Sequence, residues 1–352
     1  MQALVVTPRT PGSARIADVP EVRAAAGEVL LRTLEVGVCG TDEEIADGLF
    51  GSAPDGDEHL ILGHELLGEV VEGGNGFAAG DLVAATVRRS CGQCRACAAG
   101  SPDACLTGLY RERGITSLHG FAAELVAESA EHIVPIPREL GRFGVLAEPG
   151  SVASRGIRHA KAIGGREVWE PQRALVLGAG AIGVLAAAFL RLEGHDVWVA
   201  SRGPADSEKA QLVDLMELRY VSSSTNPPEE LAAAVGGFDI VVEATGSADV
   251  MAESIALVRR NGVVCLLGLD AHPGTVEIGR STLGVDVVIQ NRALFGSVNA
   301  HPDDWRAAVA GLVALKQRWP DAAERMVGAS VEPGRFQEAF DFGGVKATLR
   351  FA

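Results

Sequence analysis

The chain has 352 residues, of which 47% are hydrophobic, and it carries a formal net charge of −15 at pH 7. This length predicts two domains rather than one, each with its own apolar core. The acidic excess argues against nucleic acid or an anionic membrane surface as a partner, because phosphate contacts require a basic face. The run that follows Met1 has the composition of a strand rather than a secretory leader, so we expect a cytoplasmic protein.

The first 130 residues predict an irregular β-rich domain, because they form short strand-like runs separated by glycine and proline. One such run, 28–36, leads into Cys39-Gly-Thr-Asp42, and Gly63-His64-Glu65 precedes another apolar strand. A further acidic residue, Glu148, lies near the expected domain join.

These residue types predict a catalytic zinc site. Thiolate, imidazole and carboxylate are the donors of a zinc ion that keeps one position open for water or substrate. Each residue alone has an ordinary explanation: Cys39 as a core thiol, His64 as a strand-end histidine with its hydrogen bonds satisfied, Glu148 as a helix-capping carboxylate. Their occurrence in one chain together with a nucleotide-binding motif favours the interpretation as a catalytic zinc site.

A second cluster of thiols predicts a structural zinc site within a lobe of about residues 88–110. Its four cysteines follow the spacing C-x2-C-x2-C-x7-C, at Cys91, Cys94, Cys97 and Cys105. Two-residue spacers allow successive sulfurs to reach one tetrahedral centre. The alternatives are two local disulfides or free thiols.

A glycine-rich turn predicts dinucleotide binding. The strand 173–177 is followed by Gly178-Ala-Gly180-Ala-Ile-Gly183 and by a helix over 181–192. The glycines allow a tight turn, close approach of a pyrophosphate and close packing of helix on strand. We therefore expect cofactor contacts from Gly178, Gly180, Ala181, Ile182 and Gly183.

The end of the next strand, 195–200, indicates which cofactor binds. An acidic residue there would bind the ribose 2′-hydroxyl of NAD, but this strand ends in Ser201 and Arg202. Arg202 could pair with a 2′-phosphate, so NADP is preferred. Gly203 follows in place of a second basic residue, so NAD use stays possible. The alternative is that Arg202 is an ordinary solvated surface residue.

Alternating strands and helices over 156–296 predict an α/β domain with a doubly wound parallel sheet. One strand lies in 238–246 and another in 262–268, with Cys265 expected to be a core residue. Cofactor contacts are expected where these strands end, at Thr245, Gly246 and Gly268.

Taken together, these motifs resemble the zinc-dependent medium-chain alcohol dehydrogenase superfamily over essentially the whole chain. Within it the chain is most similar to the glucose 1-dehydrogenase branch known from archaea. The segments that carry the closer resemblance are Thr86-Val-Arg88-Arg89, Tyr110–Ile115, His119-Gly-Phe121 and Gly296-Ser-Val-Asn299.

The resemblance implies a GroES-like catalytic domain formed by 1–155 and 297–352, and a Rossmann domain formed by 156–296. It implies two zinc ions per chain and homodimers or homotetramers. Cys39 and His64 would hold the catalytic zinc, with Glu65 or Glu148 as the remaining ligand.

The resemblance also implies how substrate is bound and oxidised. Thr41 would relay a proton or hold a substrate oxygen, and Glu112 and Asn299 would bind sugar hydroxyls, Glu148 also lying close to the substrate. Asn299 would in addition touch the nicotinamide. The implied reaction is oxidation of glucose or a related aldose at C1 to the lactone.

Two departures from the sugar pattern leave other readings open. Val87 and Val152 stand where some sugar-oxidising relatives carry polar residues. A polyol, aminocyclitol or secondary alcohol dehydrogenase is therefore the first alternative. A zinc-free or non-enzymatic relative is the second, although Cys39, His64 and Glu148 are all present.

Overall fold

The computed structural model describes all 352 residues and contains nineteen strands and ten α-helices. The strands are β1 Gln2–Val6, β2 Arg15–Asp18, β3 Glu28–Val38, β4 Leu60–Ile61, β5 Glu65–Val70, β6 Leu82–Ala85, β7 Arg88–Arg89, β8 Arg111–Arg113, β9 Ser117–Leu118, β10 Leu125–Ser129, β11 Ile133–Pro135, β12 Arg173–Leu177, β13 Asp196–Ser201, β14 Arg219–Ser222, β15 Phe238–Glu243, β16 Val258–Leu266, β17 Ala293–Gly296, β18 Val327–Val331 and β19 Lys346–Arg350.

The α-helices are α1 Gly40–Ala46, α2 Arg95–Ala98, α3 Ala147–Gly164, α4 Ala181–Leu192, α5 Glu208–Leu215, α6 Pro228–Val235, α7 Ala248–Leu257, α8 Pro302–Arg318, α9 Pro320–Met326 and α10 Phe336–Phe340. Short 3₁₀ segments lie at Pro102–Ala104, Ala130–His132, Arg138–Leu146 and Pro333–Arg335, and a π-helical segment at Thr282–Val287. In none of the helices does a stretch combine the length and the apolar character needed to cross a bilayer.

The chain divides into two units. The first comprises Met1–Glu148, Asn299–Leu312 and Val327–Ala352, and the second Pro149–Val298 and Val313–Met326. The predicted join at 155/156 lies a few residues beyond the first division, and residues 313–326, assigned above to the catalytic domain, are grouped with the second unit. The predicted domain boundaries stay a prediction.

The first unit is built around a seven-stranded sheet in the order β11-β6-β5-β3-β19-β18, with β10 also pairing with β3. Alternating buried residues of β3 and β5, such as Leu31, Val36 and Leu66, form its core. The strand β19 pairs antiparallel with β3, with Ala347 opposite Val38. Residues more than 300 positions apart therefore lie side by side at the end of β3.

The second unit contains a parallel sheet in the order β14-β13-β12-β15-β16-β17. The strand order reverses between β12 and β15, as in the predicted doubly wound Rossmann architecture, which is confirmed. The predicted strand 173–177 and helix 181–192 have the bounds of β12 and α4. Cys265 is fully buried in β16, as expected of a core residue.

Candidate active site and cofactor pocket

Three donor side chains meet where β3 ends and its paired strand β5 begins. Cys39 follows β3, His64 precedes β5, and Glu65 is the first residue of β5. The two strands are antiparallel, with Gly37 opposite Glu65. A Cβ at Gly37 would lie 2.0 Å from Glu65 Oε2, so only glycine leaves room for this carboxylate. As a result, donor atoms of Cys39, His64 and Glu65 lie within 4.8 Å of one another.

A buried carboxylate, Asp42, lies beside the imidazole of this cluster. His64 Nε2 lies 3.2 Å from Cys39 Sγ, and His64 Nδ1 lies 3.5 Å from Asp42 Oδ1. Asp42 also accepts hydrogen bonds from the backbone N–H groups of Cys39 (3.1 Å) and Gly63 (3.3 Å). Burial opposes the charged form of His64, but the Cys39 thiolate and Asp42 raise its pKa well above the usual value.

Asp42 is absent from the residues predicted above to form the site. Its place in the first turn of α1, three residues after Cys39, is the signal that could have identified it, because metal-binding histidines usually donate their second N–H to a carboxylate.

A buried lysine from the last strand holds Glu65. Lys346 Nζ donates to Glu65 Oε1 at 2.7 Å and to the Val38 carbonyl at 2.8 Å. Burial disfavours its charge, but Glu65 and Cys39 raise its pKa. Glu65 Oε2 is buried without a hydrogen-bond partner. Lys346 therefore fixes one carboxylate oxygen and leaves the other without a protein donor, a role that no local sequence signal indicates.

The two remaining predicted residues lie on helices. Glu148 is buried in the first turn of α3. Burial raises its pKa to about 7; His64 and Lys346 oppose this shift, whereas Glu65 adds to it. Its carboxylate is not among the donors grouped within 4.8 Å of Cys39. Thr41 lies in the first turn of α1 and is half-buried.

The donor set of this cluster fits a catalytic zinc ion. A thiolate, an imidazole nitrogen and a carboxylate oxygen are the ligands such ions use, and the imidazole has its other nitrogen beside a carboxylate, as is usual in zinc sites. Glu65 Oε2, with no protein partner, is a ready third donor. Glu65 or Glu148 as the remaining ligand stays a prediction.

The four lobe cysteines also converge, and all are free thiols. The Sγ atom of Cys97 lies 3.4 Å from that of Cys94 and 3.9 Å from that of Cys91. Four sulfurs bound to one zinc at ~2.3 Å would be about 3.8 Å apart, so the arrangement fits a tetrahedral site. Backbone N–H groups donate to the sulfurs, for example Leu106 to Cys94 at 3.4 Å.

The predicted sugar-binding residues lie in the first unit but outside the Cys39 group. Glu112 Oε1 accepts a hydrogen bond from Arg88 Nε at 3.0 Å and forms an ion pair with Arg88 Nη2 at 2.9 Å. Asn299 has a positive φ of 65° and lines a cavity of about 720 Å³ together with Arg88 and Asp103. Arg88 thus contacts Glu112 directly and lines the same cavity as Asn299.

The glycine turn adopts the geometry needed for a bound pyrophosphate. Gly178 has φ of 106°, and a Cβ at Gly183 would lie 2.1 Å from the Gly178 carbonyl oxygen. Gly180 caps α4 and has open space where a side chain would stand. Positions 178 and 183 therefore require glycine. Gly178 is needed for its positive φ, and Gly183 is needed for the close packing of the helix against the turn.

A cavity of about 610 Å³ opens at this turn, at the carboxyl ends of the parallel strands. Five of the predicted cofactor residues line it: Gly178, Gly180, Ser201, Arg202 and Thr245. The lining does not include Ala181, Ile182, Gly183, Gly246 or Gly268, and Asn299 belongs to the other unit.

A second cation, Lys209 on α5, lines the same cavity as Arg202. Burial and the neighbouring Arg202 lower the pKa of Lys209, as expected for two cations close together. Ser223, Glu229 and Glu253 line it as well. Lys209 was not predicted from the sequence, because it does not directly follow Arg202. The turn before α5 places it at the same cavity.

Comparison with known proteins agrees with this organisation. The alcohol dehydrogenase GroES-like domain model matches residues 25–138, and the glucose dehydrogenase C-terminus model matches residues 141–351. The chain is 43% identical over 330 residues to glucose 1-dehydrogenase of Methanocella arvoryzae, covering 93% of this chain and 92% of that enzyme. It is 40% identical to glucose 1-dehydrogenase of Thermoproteus tenax, covering 97% and 96%.

Among solved structures, the glucose dehydrogenase of Haloferax mediterranei in complex with NADP, Zn and gluconolactone superposes with a TM-score of 0.91 at 31% identity. The match covers 100% of this chain and 99% of that one. The resemblance found in the motifs is thereby confirmed at the level of sequence and fold. The chain is an oxidoreductase of the zinc-dependent medium-chain alcohol dehydrogenase superfamily and belongs to its glucose dehydrogenase family.

Proposed function

We propose that this chain oxidises an aldose, D-glucose or a close relative, at C1 to the lactone, with zinc as the catalytic metal and NADP as the preferred hydride acceptor. The observation that carries the proposal is the convergence of the Cys39, His64 and Glu65 donor atoms within 4.8 Å. The relatives named glucose 1-dehydrogenase, and the bound NADP, Zn and gluconolactone of the Haloferax enzyme, support the same ligand classes here.

The residues of the chain divide the chemical work between them. When bound, zinc supplies a Lewis acid that acidifies the substrate hydroxyl, and the nicotinamide supplies the hydride acceptor. Cys39 and His64 would hold the metal, with Glu65 or Glu148 as third ligand, and Asp42, 3.5 Å from His64 Nδ1, would keep His64 Nε2 directed at the cluster. The Thr41 hydroxyl would take up the proton of the C1 hydroxyl and pass it towards solvent.

Glu112 and Asn299 are the proposed sugar-binding residues. Because Arg88 holds Glu112 Oε1, the carboxylate is fixed in orientation and its other oxygen is the acceptor for a sugar hydroxyl. The apolar side chains of Val87 and Val152 favour the alternative of a polyol, an aminocyclitol or a secondary alcohol. A substrate hydroxyl buried without a partner costs about 1–3 kcal/mol, enough to change the preferred substrate.

The preference for NADP follows from the two cations of the second unit. Arg202 and Lys209 line the cavity at the end of β13, where the adenosine ribose binds in Rossmann folds. A 2′-phosphate would be neutralised by both, whereas the 2′-hydroxyl of NAD meets no acidic residue at the end of this strand. NAD is therefore the weaker cofactor.

We further propose that the chain forms a homo-oligomer through its nucleotide-binding unit. The strand β17 is the edge of the parallel sheet, and nearby aliphatic side chains are exposed, among them Leu294 (49%), Val288 (66%) and Val298 (67%). An open sheet edge beside exposed apolar residues favours pairing with a second copy. A cytoplasmic location is proposed because a four-thiolate zinc site requires reduced cysteines.

The test of the proposed function is a panel of initial rates with the zinc-loaded enzyme, both cofactors, three aldoses (D-glucose, D-galactose and D-xylose), sorbitol, myo-inositol and simple secondary alcohols. We expect the highest kcat/KM with an aldose and NADP. Activity confined to a polyol or cyclitol would overturn the aldose assignment and leave the alternative. Light scattering of the same preparation gives the oligomeric state.

A further inference from the structure

A histidine outside both metal centres joins the four-cysteine lobe to the segment that carries Asn299. His301 Nε2 lies 2.7 Å from the carbonyl oxygen of Gly100, which is 201 residues earlier in the chain. Because a carbonyl oxygen can only accept, the imidazole is the donor. Gly100 in turn donates its backbone N–H to the Cys97 carbonyl at 3.0 Å. A path of hydrogen bonds therefore runs from a lobe cysteine to His301.

The other ring nitrogen of His301 caps a helix. His301 directly precedes α8, and its Nδ1 accepts the backbone N–H of Asp303 at 3.1 Å. Nδ1 therefore carries no proton, and Nε2 carries the one that is donated to Gly100. The backbone N–H of His301 donates to Asp304 Oδ2 at 2.9 Å, which completes the cap. One imidazole thus binds the start of α8 with one nitrogen and the lobe with the other.

Asn299 lies two residues before His301 and has an unusual backbone conformation. Its φ of 65° is in the left-handed region, which a residue other than glycine keeps only where its surroundings fix it. The one residue between them, Ala300, is buried. With a single buried residue as the connection, a displacement of His301 would move the backbone of Asn299.

The lobe and Asn299 also border the same space. The cavity of about 720 Å³ that Asn299 lines is lined by four lobe residues, Ser90, Gly92, Pro102 and Asp103. Within the lobe, Arg88 Nη1 donates to the Asp103 carbonyl at 2.8 Å, while Arg88 Nε donates to Glu112. Backbone carbonyls of the lobe therefore hold one residue that contacts Glu112 and another that lies two residues from Asn299.

Helix capping alone does not account for a histidine at this position. Shorter side chains such as those of Asn, Asp and Ser are the preferred caps, and they need only an acceptor for the helix N–H groups. The Nε2–H donor of His301 has no part in the cap. Its effect is to fix the distance between Gly100 in the lobe and the start of α8.

We infer that His301 is a positioning residue for sugar binding, which holds Asn299 in place relative to the lobe through its hydrogen bond to Gly100. This inference rests on the proposed role of Asn299 in binding an aldose. It predicts that loss of the hydrogen bond raises KM for the sugar and leaves kcat nearly unchanged, because His301 contacts none of the three donors at the Cys39 centre. A residue needed only for folding would lower Tm without this selective change in KM.

The experiment compares His301→Asn with His301→Gln in the full-length, zinc-loaded enzyme. The Asn side chain is a preferred helix cap but is too short to reach Gly100, so this variant keeps the cap and loses the link. The Gln side chain carries an amide N–H at about the distance of Nε2, so this variant keeps the link and weakens the cap. Arg306→Ala, which removes an exposed partner of Asp303 on α8, is the control. KM and kcat for D-glucose at saturating NADP, Tm and zinc content are measured for each.

For His301→Asn we expect KM for D-glucose to rise about fivefold, as for the loss of one hydrogen bond, with kcat within about twofold of the wild type and Tm and zinc content unchanged. For His301→Gln we expect a lower Tm and a KM close to that of the wild type. Arg306→Ala should leave KM and kcat unchanged. An unchanged KM in His301→Asn, or equal KM values in the Asn and Gln variants, would overturn the inference.

A double variant tests whether His301 acts through Asn299. If it does, adding His301→Asn to Asn299→Ala should raise KM no further, because both changes remove the same sugar contact. Effects on KM that multiply would contradict the inference. An unchanged KM in Asn299→Ala would refute the sugar role of Asn299, and the inference with it.

The proposed reaction is tested separately from the positioning role. A wild-type enzyme that oxidises no aldose refutes the aldose assignment. The same variants are then compared on the best substrate of the panel, where the selective rise in KM for His301→Asn and its recovery in His301→Gln remain the expected results.

Discussion

The two candidate metal centres of the first unit contrast in how they are built. The four-cysteine lobe takes all its ligands from residues 91–105, and backbone N–H groups of the same loop donate to its sulfurs. The Cys39 centre takes its donors from the ends of two strands, and it depends on Lys346 from the last strand of the chain. A local centre is specified by spacing, whereas a distributed one requires the correct sheet register.

The two centres also differ in how deeply their residues are buried. The lobe cysteines are only half-buried, whereas His64, Glu65 and Lys346 are each 5% exposed or less. In the distributed centre a carboxylate and an ammonium are removed from water together, so each depends on the other for its charge. We therefore expect perturbation of the distributed centre to abolish function and perturbation of the lobe to reduce stability.

The largest effect is expected for the ligands of the distributed centre. Cys39→Ser or His64→Ala should lower kcat/KM by about a thousandfold or more with little change in Tm, because the site loses its metal and the sheet retains its register. Initial rates, zinc content and thermal melting measure this. Cys265→Ala, a change at a buried thiol outside both centres, is the control and should retain both zinc ions. Comparable activity in the Cys39 or His64 variant would remove zinc from the mechanism.

The second expected effect comes from the lysine that supports Glu65. Lys346→Met should weaken catalytic zinc binding by roughly 10–100-fold, as loss of a residue that orients a ligand commonly does. Chelator competition measures the affinity, and the affinity of the lobe should not change. Lys346→Arg preserves a cation and should recover most of the loss. Parallel loss of both zinc ions in Lys346→Met would show that the lysine acts on the whole unit rather than on one centre.

A similar comparison is possible in the cofactor pocket, because Arg202 was predicted from the local sequence and Lys209 was identified only from the structure. Arg202→Ala should raise KM for NADP about tenfold and leave that for NAD nearly unchanged, because a charged pairing with phosphate is lost. Lys209→Ala should act in the same direction by a smaller factor. Arg219→Ala, which removes an exposed arginine that pairs with Asp196, serves as the control. Equal effects of Arg202→Ala on both cofactors would show that no 2′-phosphate binds there.

The smallest effect on catalysis is expected for the lobe. Cys97→Ser should cost about 2–3 kcal/mol of stability, or roughly 5–10 °C in Tm for a domain of this size, through loss of one zinc ion. At low temperature kcat should stay within about twofold of the wild type, since the lobe supplies no group to the reaction. Thermal melting and rates at two temperatures test this. A large loss of kcat in a folded variant would mean that the two centres are not independent.

Much of the architecture was accessible from local patterns. Gly178, Gly180 and Gly183 stand between an apolar strand and an apolar helix, and the structure reproduces both elements with the predicted bounds. The Rossmann sheet follows from this alternation, because parallel strands need helical crossovers. The convergence of the four lobe cysteines was equally predictable from their spacing, because short turns are enough to bring their sulfurs together.

Other features were not accessible, because no local pattern records them. Lys346 and Glu65 are 281 residues apart and meet only through the pairing of β19 with β3 and of β3 with β5. Lys209 reaches the Arg202 pocket because the turn after β13 brings α5 back over the strand end. Asp42 lies within the motif itself, but only the tertiary structure places its carboxylate 3.5 Å from His64 Nδ1.

By itself, then, the sequence determined the fold class, the glycine turn, the cysteine spacing of the lobe and the donor types of the predicted catalytic metal site, because each depends on periodicity or on short spacing. Only the tertiary structure decided that Lys346 holds Glu65 and that Lys209 lines the same cavity as Arg202. In both cases strand register and helix packing, rather than distance along the chain, bring the two residues together. The Lys346–Glu65 pair is in addition buried, and buried charges are tolerated only beside specific partners.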